Sequence, residues 1–159
     1  MRDPNIATMS RHQHLKVHDL VSAAKSRIRE ITARELLALQ DAGAPIVDVR
    51  EPDEFADGHL PGAVNIPRGL LEFEVDGHPA VNYETAEALS HRERPVVLYC
   101  LSGSRSALAA EALQRLGFTS PVSLAGGILH WADSGHPVVS PGSGVDRAGH
   151  EFAPLVSLA

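Results

Sequence analysis

One stretch constrains this chain more than any other: Val96-Val97-Leu98-Tyr99-Cys100-Leu101-Ser102-Gly103-Ser104-Arg105-Ser106. Four apolar, mostly strand-favouring residues run straight into the only cysteine of the sequence. A Leu-Ser-Gly-Ser turn and an arginine follow, and then a segment of helical periodicity. The order reads as strand, tight loop and helix N-terminus, with a thiol at the base of the loop. Successive backbone N–H groups in such a loop can point inward, and the helix dipole adds positive potential at the same place. That setting favours a reactive thiolate. The bland alternative is a small buried hydrophobe, the usual fate of a lone cysteine at a strand end. The neighbours decide between them. Gly103 permits positive φ or close backbone approach, Ser102 and Ser104 are small, and Arg105 supplies a fixed positive charge, none of which a core cysteine needs. The stretch is read as an anion cradle with a nucleophile in its floor.

A chain of 159 residues, 43% of them hydrophobic, can bury the core of one domain with short extensions. The division expected is an N-terminal arm and short helix over 1–28, the domain over 29–137, and a tail over 138–159. Fourteen basic residues against twenty acidic ones give a net charge of −6, so neither nucleic acid nor an anionic membrane is an expected partner. A single cysteine forms no internal disulfide and no zinc cluster. It also means that any adduct on Cys100 must be resolved by a thiol from another molecule. No apolar run approaches the roughly 18 residues of a membrane span, and the first ten residues lack the apolar core of a secretory signal. A reducing cytoplasmic setting is expected, with no cofactor and no metal. The oligomeric state is left open.

In chain order, residues 1 to about 17 are polar. His12, His14 and His18 could bind metal, but nothing nearby completes a site, and a solvated arm is expected. From His18 to Ile28 the apolar spacing suits a short amphipathic helix, packed on the domain or on a partner subunit. Glu30-Ile31 reads as a first strand. Thr32 and Glu35 form a capping box that opens a helix ended by Gly43. Pro45 to Arg50 is a second strand, apolar until Asp48, and a buried acid there needs a partner such as Arg50 or loop N–H groups. Pro52 opens a short helix. Gly58 to Gly62 is turn chemistry, and Ala63 to Ile66 a third strand. Leu70, Leu71 and Phe73 suit a short helix before a turn at Asp76-Gly77, and Thr85 to about Arg92 reads as a helix. After the central loop, Ala109, Leu113 and Leu116 keep helical spacing up to Gly117. Pro121 to Leu124 is a fifth strand, and Gly126-Gly127 leads into a short helix carrying Trp131. Strands alternating with helices indicate an α/β fold with a parallel sheet, in which a site lies beyond the carboxyl ends of the strands.

Four motifs in this order resemble the rhodanese family of sulfurtransferases: Asp48-Val49-Arg50-Glu51; Gly58-His59-Leu60-Pro61-Gly62-Ala63-Val64-Asn65-Ile66-Pro67; Cys100 to Ser106; and Leu124-Ala125-Gly126-Gly127 followed by Trp131. The likeness covers roughly Arg29 to Pro137. It implies a five-stranded parallel sheet flanked by helices on both faces. It further implies that Cys100 takes the sulfane sulfur of a donor such as thiosulfate, becomes a persulfide, and passes the sulfur to cyanide in an assay or to a thiol in the cell. Many relatives carry a basic or polar residue directly after the cysteine. This chain has Leu101 there, which leaves donor preference open.

Thiosulfate is a dianion, so loop N–H dipoles and Arg105 are expected to stabilise the leaving sulfite, and the N–H groups from Leu101 to Ser106 to hold the persulfide. Two roles stand open for Arg105: facing the substrate, or turning inward to tie the loop to Asp48 or Glu51. Asp48, Arg50, Glu51 and Arg68 are candidate support for the site: Arg50 either contacts substrate or, the favoured reading, pairs with a carboxylate, and Arg68 and Glu72 either line the entrance or, the favoured reading, form a solvated face. His59 is expected to be a hydrogen-bonded structural histidine rather than a proton shuttle, and Trp131 to pack in the core or at its rim. Two rival functions are weighed. Phosphatases and arsenate reductases of this architecture resemble the chain, but their loop is one residue longer than the four residues between Cys100 and Arg105. No acid follows Cys100 in the loop to protonate a leaving alkoxide. A non-enzymatic binding module is usually marked by loss of the cysteine, which is present here. A persulfide relay serving one sulfur-accepting protein lies between these classes.

Overall fold

The computed structural model describes residues 14–139. The alternation seen in the sequence resolves into five short strands: β1 (Arg29–Ile31), β2 (Ile46–Asp48), β3 (Val64–Asn65), β4 (Val96–Tyr99) and β5 (Pro121–Leu124). All pair in parallel in the order β1-β5-β4-β2-β3, which places β4 at the centre. The helices are α1 (Val17–Arg27), α2 (Ala33–Asp41), α3 (Pro52–Asp57), α4 (Phe73–Asp76), α5 (Ser104–Arg115) and α6 (Gly127–Asp133).

Side-chain alternation along β4 divides the core in two. Val96, Leu98 and Cys100 face one layer with Ala109, Ala110 and Leu113 of α5, Phe118, Leu71 and Leu89. Val97 and Tyr99 face the other, with Leu36 of α2, Phe55 of α3, and Ile128 and Trp131 of α6. Helices therefore cover both faces, and the C-terminal end of β4 is the one place where both layers meet the loop after it.

Local chemistry sets the ends of the elements. Thr32 accepts the Glu35 N–H at 3.2 Å while Glu35 reaches back to the Thr32 N–H at 3.3 Å, the expected capping box. Helix α1 packs on α5 through fully buried Ala24, and Gln114 donates to the Arg27 carbonyl at 3.0 Å, so within this chain its cover is the domain itself. The segment expected as a helix over Thr85 to Arg92 makes only a single 3-10 turn, Glu87–Leu89. Its start at Ala86 has no capping side chain, and Ser90 Oγ donates back to the Glu87 carbonyl at 2.7 Å, closing the turn locally. Only Ala86 and Leu89 need to be buried there, and one turn suffices. The chain beyond α6 stays attached: Trp131 Nε1 donates to the Pro137 carbonyl at 2.8 Å, and Val139 bridges antiparallel to His59. The expected arm up to residue 13, including His12, and the tail from residue 140 lie outside the described residues.

Candidate active site

Cys100 follows β4 and is 1% exposed. Its Sγ accepts the Gly103 N–H at 3.2 Å and the Ser106 N–H at 3.4 Å, and the Ser106 hydroxyl stands 3.5 Å away. Gly103 is the N-cap of α5, with φ +103°, and supplies no capping side chain. The sulfur therefore takes the place of a capping oxygen: it accepts from Ser106 at the third helical position, the N–H that a serine or aspartate cap ordinarily satisfies. A twelve-residue helix directs its positive end at the thiol. The partners at Sγ are two backbone amides and one hydroxyl, and among the described residues no carboxylate or imidazole is bonded to it.

The loop is held from behind by the turn after β5. Ile128 N–H donates to the Cys100 carbonyl at 3.0 Å and Leu129 N–H to the Leu101 carbonyl at 3.1 Å. These bonds hold the Cys100 and Leu101 carbonyls against α6, while the Gly103 and Ser106 N–H groups face the thiol. Approach is so close that a Cβ on Gly127 would lie 2.3 Å from the Leu101 oxygen. Leu101 and Ser102 are exposed, whereas Ser104 and Arg105 are half-buried.

Arg105 does not turn to Asp48 or Glu51. It forms a two-pronged ion pair with Glu54 of α3, at 2.7 and 3.0 Å. The Arg105 hydrogen bond holds the Glu54 carboxyl down at about 2, against an ordinary 4.5, and the pairing raises the arginine in turn. Asp48 and Arg50 form a buried strut beside the site. Asp48 accepts the Arg50 backbone N–H at 2.9 Å and its Nη2 at 2.7 Å, and Arg50 also donates to the Gly58 carbonyl at 2.6 Å. Burial opposes the Arg50 charge, but the Asp48 partner more than offsets it and raises the arginine's pKa. Tyr99 lies under this strut, with its hydroxyl accepting the Leu60 N–H at 3.0 Å; burial, helped by the Asp48 charge, lifts the phenol well above its usual range. Glu51 is exposed at the start of α3 and donates its N–H to Glu54 at 3.2 Å. Arg68 pairs with Glu72 at 2.6 Å, half-exposed. His59 stacks on Phe55 and bonds its carbonyl at 2.9 Å, a structural histidine.

Two residues of the site escaped the sequence reading. Glu54 was visible only as one of several acids in a first helical turn. Ser123, fully buried on β5, bonds Ser106 Oγ at 2.8 Å and so stands behind the hydroxyl nearest the thiol. Its signal was present: a polar residue inside a strand covered on both faces needs a partner. Among the described residues no three metal-ligating side chains converge. A cavity of about 640 Å³ between Leu39, Pro45, Ala88 and Val96 opens at the other end of the strands, away from the thiol.

Comparison with known proteins agrees with this geometry. Residues 32–134 match the model of the rhodanese-like domain. The chain is 35% identical over 96 residues to a sulfurtransferase of Allochromatium vinosum, covering 60% of this chain and 78% of that one. It is 37% identical to the "Probable adenylyltransferase/sulfurtransferase MoeZ" of Mycobacterium tuberculosis over 75% of this chain, but spans only 28% of that longer protein. Among solved structures, the human single-domain sulfurtransferase superposes with a TM-score of 0.58 at 31% identity, over 65% of this chain and 95% of that one. A Rhodopseudomonas palustris protein of unknown function, named "Possible Tyrosine Phosphatase", superposes with a TM-score of 0.68 at 33% identity, over 82% and 99%. With its five parallel strands in place and its cysteine loop capped by sulfur, the chain belongs to the rhodanese-like domain family.

Proposed function

We propose that this protein is a sulfurtransferase that carries a sulfane sulfur on Cys100 as a persulfide. The observation that carries the reading is the thiol's position as the cap of α5, with two N–H groups and one hydroxyl at Sγ. In the first step the Cys100 thiolate attacks the outer sulfur of thiosulfate or a related donor. A Cys–S bond forms, the donor S–S bond breaks, and its electron pair leaves on sulfite. In the second step a thiol, free or borne by an accepting protein, attacks the outer sulfur and regenerates the Cys100 thiolate. Neither step needs a general base once the cysteine is ionised, which suits a loop whose contacts at sulfur are amides and a hydroxyl. A reducing cytoplasmic compartment supplies such acceptors. No described helix is long and apolar enough to cross a membrane.

The name of the R. palustris relative raises phosphoryl transfer as a second reading. A phosphatase needs a guanidinium over the thiol to hold the phosphate oxygens, and Arg105 is committed to Glu54. Intact mass after incubation with thiosulfate, mercaptopyruvate or a low-molecular-weight persulfide tests the proposal. A gain of about one sulfur atom (~32 Da), absent from Cys100→Ser, is expected. No adduct from any donor, or clear turnover of an aryl phosphate, refutes it.

A further inference from the structure

We propose that the Cys100 site selects an organic sulfane-sulfur donor carrying no more than one negative charge, and discriminates against the thiosulfate dianion. The inference rests on the sulfur-transfer reading above and adds the chemical class of donor to it.

The first support is the state of the cations. The arginine of the loop and the one that follows the adjacent strand β2 each already hold a carboxylate, Arg105 with Glu54 and Arg50 with Asp48, and Arg68, which follows β3 two strands from β4, is likewise paired, with Glu72. Exposed Glu51 and Asp53 add negative charge beside Glu54. Arg34 is exposed at the start of α2, but it follows β1, which like β3 lies two strands from β4. Strand spacing puts that at about 10 Å, a distance at which salt screens most of its effect. The amide dipoles at Sγ are already engaged by the charge of the thiolate itself. Among the described residues, a donor therefore approaches a negative nucleophile with no unpaired arginine from the loop or from the end of the adjacent strand β2 beside it, and repulsion scales with the donor's own charge.

The second support is the exposed apolar surface next to the cysteine. Leu101 is 39% exposed and Leu129 is 52% exposed, and the backbone bond from Leu129 N–H to the Leu101 carbonyl sets the two residues side by side. An alkyl or aryl group next to the transferred sulfur can cover this pair and withdraw apolar surface from water, whereas thiosulfate has no such group. For a thiosulfonate, R–SO2–S⁻, attack by the Cys100 thiolate gives the Cys100 persulfide anion and R–SO2⁻. The bond between the two donor sulfurs breaks and its electron pair leaves on the sulfinate, so charge balances at −2 on each side.

Benzenethiosulfonate and thiosulfate, compared as donors to cyanide with the full chain, test the proposal. The wild type is expected to show kcat/KM at least about tenfold higher for the monoanion. Raising the salt concentration should speed the thiosulfate reaction more than the other. Intrinsic donor reactivity is separated from selection by two variants. Leu101→Arg places a cation directly after the cysteine, and Glu54→Gln releases the Arg105 charge. Each should lower the monoanion-to-dianion ratio by about fivefold or more. A ratio near one in the wild type, or one that neither variant moves, overturns the donor class while leaving sulfur transfer intact. Failure of both donors to load sulfur onto Cys100 overturns the two readings together.

Discussion

The turn at Gly126-Gly127 is predicted to matter more to the cysteine loop than any residue within it except Cys100 itself, and alanine at Gly127 measures this. Gly127 has φ +59°, where an L side chain costs about 1–2 kcal/mol. Its added Cβ would also lie 2.3 Å from the Leu101 oxygen and 2.6 Å from the Cys100 oxygen. Both are backbone atoms, so neither can rotate aside. The loop or the turn must move, and the movement strains the bonds from Ile128 to Cys100 and from Leu129 to Leu101, each worth roughly 1 kcal/mol net. Gly127→Ala should therefore cost about 3–4 kcal/mol and lower Tm by on the order of 10 °C. Gly117 is the control. It has φ +93° but nothing within 4 Å of a new Cβ, so Gly117→Ala should cost only the strain, about 1–2 kcal/mol. Denaturant unfolding gives both numbers, and the rate of persulfide formation at a temperature where both variants are folded gives the second readout. Gly127→Ala should slow it, because the N–H groups at Sγ shift with the loop, and Gly117→Ala should not. Equal stability losses, with equal rates, would refute the claim that this turn braces the loop.

The pair between Glu54 and Arg105 should make stability depend on pH. Because the Glu54 carboxyl is depressed to about 2 in the folded chain against 4.5 ordinarily, its contribution is full above about pH 4.5 and is lost as pH falls through 2. Glu54 is about one-third exposed, so solvent screening limits the effect to on the order of 1 kcal/mol. The urea-measured difference between wild type and Glu54→Gln should be present at pH 7 and shrink steadily from pH 4.5 downward; a difference constant across that range contradicts the assignment. Ser123→Ala removes the partner of the Ser106 hydroxyl and should slow persulfide formation about two- to tenfold, the rate equivalent of one net hydrogen bond of roughly 0.5–1.5 kcal/mol. An unchanged rate would show that Ser106 orients itself without Ser123.

The sheet and the loop were legible in the sequence for a common reason: both are written in contiguous residues. The apolar run of β4, the Thr32–Glu35 capping box and the glycine at the start of α5 act over a few positions, and the period of each is visible without the fold. Thr85 to Arg92 misled because helical spacing records which residues are buried but not how many turns are needed to bury them. One turn was enough for Leu89. Glu54 and Ser123 were harder, since each acts on a residue far away in sequence. Arg105 lies 51 positions from Glu54, and three exposed or half-buried acids cluster at the start of α3 as candidates. Only the direction in which α3 leaves β2 selects among them. Asp48 illustrates the favourable case: its partner, Arg50, is two residues away, and a buried acid has few others to choose from.

That division between local and distant signals bears on how the site is tuned. The part that makes Cys100 reactive is local: a strand end, a glycine and the first turn of a helix, with sulfur standing in for the capping oxygen. The part that sets which donor is accepted is distant, because it depends on whether the loop arginine is free or held by Glu54 and on what Leu129 adds beside Leu101. The first can persist unchanged while the second is altered one residue at a time. A family signature in the loop therefore identifies sulfur chemistry without fixing its substrate. In this chain the carboxylates that hold Arg105 and Arg50, rather than the loop itself, are the features that argue against a dianion.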